Sequence, residues 1–68
     1  MKPTTTKETY SLGASITATI ETDHELKTST TRWFIQGNHG SETFKTKASA
    51  IRRVEELAAE VAAILEDN

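Results

Sequence analysis

The chain has 68 residues, no Cys and a formal net charge of −2. This length predicts one small domain, and the lack of Cys excludes disulfides and the usual structural zinc sites. No apolar run reaches the roughly 18 residues of a membrane span, and no signal peptide is visible, so we expect a cytoplasmic protein with no membrane contact. A core this small typically yields about 3–5 kcal/mol of stability. Association of two copies would bury further apolar surface, so a homodimer is one expectation.

The first nine residues are polar and Thr-rich and include the only Pro. Such segments bury little apolar surface, so we predict a flexible tail over residues 1–9. A single small domain would then occupy residues 10–68.

Strict alternation of apolar and polar residues follows from Tyr10 to Glu21. This period of two predicts one long, half-buried strand. Gly13 is the position at which this strand would bend or bulge.

The middle of the chain carries two shorter strand signals. Thr22–Thr30 is polar and reads as a connection, in which Asp23 favours a turn. Thr31–Gln36 is rich in β-branched and aromatic residues and predicts a second strand. Gly37–Gly40 suits a tight hairpin turn, after which Ser41–Lys45 would form a third strand.

The final third, Thr46 to Glu66, predicts one amphipathic helix with Thr46 as its N-cap. Its apolar residues recur at intervals of three and four, the period of one helical face. They are Ile51, Val54, Ala58, Val61 and Leu65, and the stripe is widened by Leu57, Ala62 and Ile64.

These elements predict an α+β fold, in which a three-stranded antiparallel meander carries the long C-terminal helix on one face (βββα). The inner face should hold Tyr10, Leu12, Ile16, Ile20 and Phe44. The second strand allows either facing, because Trp33 and Ile35 point one way and Phe34 the other; we favour Trp33 and Ile35 inward because of their combined bulk, which leaves Phe34 exposed.

Charge is unevenly distributed along the chain. Lys27 to Val54 contains six basic residues and one acid, whereas Glu55 to Asn68 contains five acids and no base. Size and charge together favour a small non-catalytic protein-interaction module, such as the inhibitors and adaptors of phages and mobile elements. Its partner would be another protein or a second copy of the chain, bound through Phe34 on the sheet or through Glu56 and Glu60 on the helix.

The alternative function is nucleic-acid binding by a basic sheet face. Lys and Arg neutralise phosphates, Gln can read base edges and an aromatic ring can stack. The candidate residues are Arg32, Phe34, Gln36, Lys45, Lys47 and Arg52. The order of three strands and a helix, with the sequence TFKTKA at Thr43–Ala48, is similar in layout to the arm-binding domains of phage integrases and to plant ethylene-response-type DNA-binding domains. In those families the sheet enters the major groove, which implies the same placement here.

The sequence does not predict an enzyme. His24 lies in a polar connection and His39 in a predicted turn, and neither stands in a nucleophile motif. The Gly37–Gly40 segment lacks the Lys and Ser or Thr that follow a phosphate-binding loop. We therefore expect no catalytic residue, metal or cofactor.

Overall fold

The computed structural model describes residues 4–66, which form four strands and one helix. These are β1 (Thr5–Gly13), β2 (Ile16–Asp23), β3 (Thr28–Ile35), β4 (Asn38–Phe44) and α1 (Lys47–Glu66). The strands form one antiparallel sheet in the order β1-β2-β3-β4, with α1 packed on one face. The predicted α+β class is confirmed. The predicted strand number was wrong, and the fourth strand also departs from the three-stranded DNA-binding layout.

The extra strand arises from a hairpin inside the long alternating segment. Ala14 and Ser15 form its turn with positive φ angles of 47° and 68°, next to Gly13 at 123°. A two-residue turn normally exchanges the faces to which odd and even positions point. Here a bulge between Ser11 and Gly13 adds one residue and restores the original parity. The alternation therefore continues unchanged through the hairpin, which explains why it reads as one strand.

The polar N-terminal segment is part of the sheet. Thr5 to Thr9, predicted as tail, pair with Asp23 to Thr19 of β2. Thr is favoured in strands and is also common in flexible segments. Composition alone therefore led to the wrong prediction of a tail for Thr5 to Thr9. Met1 to Pro3 of the predicted tail lie outside the described residues.

The predicted turn at Asp23 is confirmed, but the connection between the two strands is shorter than the expected Thr22–Thr30. Asp23 Oδ1 accepts hydrogen bonds from the backbone N–H groups of Glu25 (2.9 Å) and Leu26 (3.0 Å). This capping lets β2 extend to Asp23 and β3 begin at Thr28, so that only residues 24–27 remain outside the strands.

The hairpin between β3 and β4 turns earlier than predicted. Gln36 and Gly37 occupy the turn with φ angles of 51° and 80°, and Ile35 pairs with Asn38. Positive φ at both central residues is the type I′ arrangement that matches strand twist. Asn38, His39 and Gly40 therefore belong to β4, and the predicted strand limits of Ser41 and Lys45 were wrong.

The core lies between α1 and the face of the sheet that it covers, which we call the inner face. Its buried apolar residues are Leu12, Ala18, Ile20, Ala50, Val54, Leu57 and Val61. The expected inner positions are confirmed, since Tyr10, Ile16, Trp33, Ile35 and Phe44 pack against this cluster. Phe34 is 52% exposed, also as predicted, but Leu65 is 43% exposed because the buried stripe is centred on Ala50 and Leu57.

Two hydrogen bonds fix where α1 begins and how it faces the sheet. Thr46 Oγ1 accepts from the backbone N–H of Ser49 (3.2 Å), which confirms the predicted N-cap. The fully buried hydroxyl of Thr31 donates to the carbonyl oxygen of Ala50 (3.1 Å). This second bond satisfies a polar group in the core and links β3 to the first turns of the helix.

Gly40 is required by the close approach of Trp33. The two residues face each other across β3 and β4, and a Cβ atom at position 40 would overlap Cε2, Nε1 and Cζ2 of the indole. Trp33 also contacts α1, because the guanidinium carbon of Arg53 lies 4.9 Å from its ring centroid. The glycine therefore sets the position of the ring beside the helix.

We predict that Gly40→Ala lowers the unfolding free energy by about 1–3 kcal/mol, because the added methyl displaces Trp33. Urea unfolding followed by circular dichroism measures this change. The loss should shrink in a Trp33→Leu background, which removes the overlapping atoms. Gly37→Ala is the control: it strains a positive φ with no atom within 4 Å, so its cost should not depend on Trp33. Equal losses at Gly40 in both backgrounds would contradict the steric explanation.

Candidate interaction surfaces

The face of the sheet opposite α1, which we call the outer face, is dominated by hydroxyl groups. Strand register assigns to it the positions between the inner-facing residues. They are Thr5, Lys7, Thr9, Ser11, Thr17, Thr19, Glu21, Asp23, Thr28, Thr30, Arg32, Phe34, His39, Ser41 and Thr43. Thr is common on exposed strand positions, so most of this face is explained by strand formation alone.

One end of the outer face differs from the rest. Phe34 and His39 are direct partners across β3 and β4, and their rings lie 4.4 Å apart at an angle of 44°. Arg32 precedes Phe34 by two positions and points to the same face. We call Arg32, Phe34 and His39 the aromatic patch. Phe34 and Arg32 were predicted from the sequence as surface residues, whereas His39 was not, because it was expected to lie in a turn.

The charge of Arg32 is partly compensated. Its Nε atom lies 3.0 Å from Oε1 of Glu21 on β2. The arginine side chain is more than half exposed, so this ion pair adds little stability. It does reduce the positive potential that the patch presents.

The two predicted acidic contact residues lie on the other side of the molecule. Glu56 accepts a hydrogen bond from Nη1 of Arg53 (3.1 Å), while Nε of Arg53 lies 3.4 Å from Oε1 of Glu42. Glu60 is exposed and forms no ion pair with the other residues from 4 to 66. Because the sheet separates Phe34 from both glutamates, the predicted protein-binding residues form two surfaces.

The residues proposed for nucleic-acid contact are scattered. Gln36 is in the β3–β4 turn, and Lys45 lies in the link between β4 and α1. Lys47 begins the helix and pairs with Glu8 of β1. Arg52 lies beside Arg53 in a hollow lined also by Glu42 and Glu56. Only Arg32 and Phe34 share the outer face, so the basic middle of the sequence does not become one basic surface.

An open groove lies between the β3–β4 hairpin and the second half of α1. Its volume is about 420 Å³. It is lined by Trp33, Ile35, Gln36, Asn38, Glu60, Ala63 and Ile64. We call it the hairpin groove. It lies on the helix side of the hairpin, whereas the aromatic patch lies on the outer side of the same hairpin. This groove was not predicted from the sequence, because it forms between segments far apart in the chain.

Three titratable groups interact where β1 meets the start of α1. The hydrogen bond and ion pair with Lys47 lower the pKa of Glu8 below its usual 4.5. Partial burial raises the pKa of Tyr10 above its usual 10.0, and the hydrogen bond from its hydroxyl to Glu8 Oε2 (3.2 Å) adds to this effect. Glu8 also raises the pKa of Lys47 above 10.5. These shifts come from mutual contacts that hold the helix start to the sheet edge.

Within residues 4–66, no three His, Asp or Glu side chains are grouped as a metal site requires. No helix in this range has the length and apolar character to cross a bilayer. Comparison of the chain with protein-family models, with curated proteins and with solved structures gave no match.

We predict that Tyr10 titrates above pH 10.0 in the folded protein, and that Glu8→Gln moves its midpoint downward because the accepting charge is lost. Tyr10 is the only tyrosine, so tyrosinate absorbance reports it alone. A raised folded pKa means that Tyr10 contributes stability below pH 10.0 and loses it as pH rises through the folded pKa. Glu42→Gln is the matched control, and equal midpoints for the wild type and Glu8→Gln would contradict the predicted contact.

Proposed function

We propose that this chain is a small non-catalytic protein-interaction module that binds a partner protein through the aromatic patch. The observation that carries the proposal is Phe34, an aromatic side chain that is 52% exposed on a paired strand, with its ring tilted against that of His39. Aromatic residues and arginine are enriched among the residues that dominate binding energy at protein interfaces. The patch combines both on one short stretch of sheet.

The backbone under the patch is well held, which favours binding. Phe34 and His39 lie between the tight Gln36–Gly37 turn and the Trp33–Gly40 contact. A side chain on paired strands loses less conformational freedom on binding than one on a mobile loop. This rigidity supports the patch as a preformed contact surface.

The distribution of charge favours a protein partner over nucleic acid. Arg32 pairs with Glu21, Lys47 with Glu8, and Arg53 with Glu42 and Glu56. A nucleic-acid-binding domain usually presents unpaired basic residues along one face and is basic overall, whereas this chain has a net charge of −2. The size and charge of the chain remain the basis for proposing a phage-type inhibitor or adaptor.

The second candidate function is binding of single-stranded nucleic acid. The observation in its favour is again the aromatic patch, since exposed rings on a four-stranded sheet can stack with bases while Arg32 contacts a phosphate. This form of recognition needs fewer basic residues than insertion of a sheet into a DNA groove.

To test the first proposal, a photo-crosslinking amino acid is placed at Ser41, which lies opposite Arg32 on the outer face, and the crosslinked proteins are compared between variants. We expect Phe34→Ala to abolish at least one specific crosslink because the aromatic anchor is lost. The unfolding free energy should change by less than about 1 kcal/mol, since the ring is largely exposed. Thr5→Ala is the control on the same face at its opposite end. If Phe34→Ala retains every crosslink of the wild type, the patch is not the interface.

The second function predicts a salt-dependent complex with single-stranded RNA or DNA. Sedimentation at about 50 and 200 mM salt should show a complex that weakens at the higher salt and that Arg32→Ala weakens further. Thr5→Ala should leave it unchanged. Absence of a complex at the lower salt would exclude this candidate.

A further inference from the structure

The hairpin groove is built from two different kinds of surface. Trp33 and Ile35 contribute partly buried apolar side chains from β3, and Ala63 and Ile64 contribute apolar groups from α1. The side-chain amides of Gln36 and Asn38 and the carboxylate of Glu60 complete its lining. The groove can therefore accept an apolar side chain and can hydrogen-bond the chain that carries it.

The charge around this groove is negative. Glu60 is its only charged lining residue among those described, and it has no ion-pair partner within residues 4–66. The guanidinium of Arg53 lies over Trp33 at one side of the groove, but it is shared by the carboxylates of Glu42 and Glu56, so these three residues together carry one excess negative charge. Arg52 lies two helical turns from Glu60, about 12 Å along the helix axis, so its positive charge does not pair with Glu60.

The helix itself adds to this negative potential. The C-terminal end of a helix carries a partial negative charge, which basic residues in the last turn normally offset. The last turn of α1 contains no basic residue and ends at Glu66. Acids at this position do not stabilise the helix, but they would attract a positively charged ligand.

We propose that the hairpin groove binds a short basic segment of a partner protein, in which an apolar residue is flanked by Arg or Lys. The apolar side chain lies against Trp33 and Ile35, and a neighbouring cation pairs with Glu60. Gln36 and Asn38 hydrogen-bond the segment at the hairpin rim. This site is distinct from the aromatic patch and does not depend on it, because the two lie on opposite faces of the hairpin.

Trp33 is the only tryptophan of the chain, so its fluorescence reports directly on the groove. The probe is the acetylated and amidated peptide Arg-Leu-Arg-Leu-Arg, titrated into the full chain. Its matched controls are Glu-Leu-Glu-Leu-Glu, which reverses the charge, and a peptide of five arginines, which removes the apolar residues. We expect a saturable change in Trp33 emission with the first peptide only.

Charge-reversal variants locate the site. Glu60→Lys should weaken binding of the probe by about tenfold, because an attractive contact becomes repulsive. Glu55→Lys is the control, because it changes the net charge by the same amount at a residue that does not line the groove. The affinity of this variant for the probe peptide should stay within about twofold of the wild type. Similar losses in both variants would show diffuse attraction and would overturn the proposal.

A second pair of variants tests the groove without changing charge. Ala63→Leu narrows the groove and should weaken binding, whereas Ala62→Leu adds the same atoms at an exposed position outside it. Phe34→Ala should leave the affinity for the probe unchanged, which separates this site from the aromatic patch. Failure of the peptide to alter Trp33 emission, or equal binding of the acidic peptide, would also overturn the proposal.

Discussion

The burial of one sheet face by one helix is the constraint on which the rest of this structure depends. α1 contributes Ala50, Val54, Leu57 and Val61 to the core. Without the helix, the apolar face of the sheet would be exposed to water. The hydrogen bond from Thr31 to the Ala50 carbonyl oxygen fixes the helix against β3. Among residues 4–66 one helix covers one face of the sheet, and the opposite face is left exposed. The fold therefore leaves one sheet face exposed, and it also leaves a groove between the β3–β4 hairpin and the second half of α1.

The parts of the fold that follow from local patterns could be predicted from the sequence. The period of the helix, the Thr46 cap and the inward direction of Trp33 and Ile35 each depend on neighbouring residues, and each is confirmed. The exposure of Phe34 followed from the choice of the bulkier pair, Trp33 and Ile35, as the inward-facing residues of this strand. These features are local because helix and strand periods place side chains without reference to distant segments.

The remaining features depend on how segments meet, which periodicity does not encode. The bulge beside Gly13 cancelled the change of parity that would have revealed the first hairpin. His39 became a partner of Phe34 only because the turn closed at Gln36 and Gly37. The polar side chain of Thr31 gave no sign that it would be buried against a helix carbonyl. For the same reason Phe34, Glu56 and Glu60 could be predicted as contact residues, but not that the sheet separates Phe34 from the two glutamates.

The sequential strand order also has a consequence for folding. Each strand pairs with its neighbour in the chain through a short turn, so most strand contacts join residues close in sequence. Each hairpin can therefore form without waiting for distant segments, whereas the packing of α1 on β1 joins residues far apart in the chain and closes a much longer loop. Ribosomes, however, release β1 to β4 before α1. The apolar inner face can thus be assembled while its cover is still being synthesised, and during that interval the nascent chain is exposed to aggregation and to chaperones.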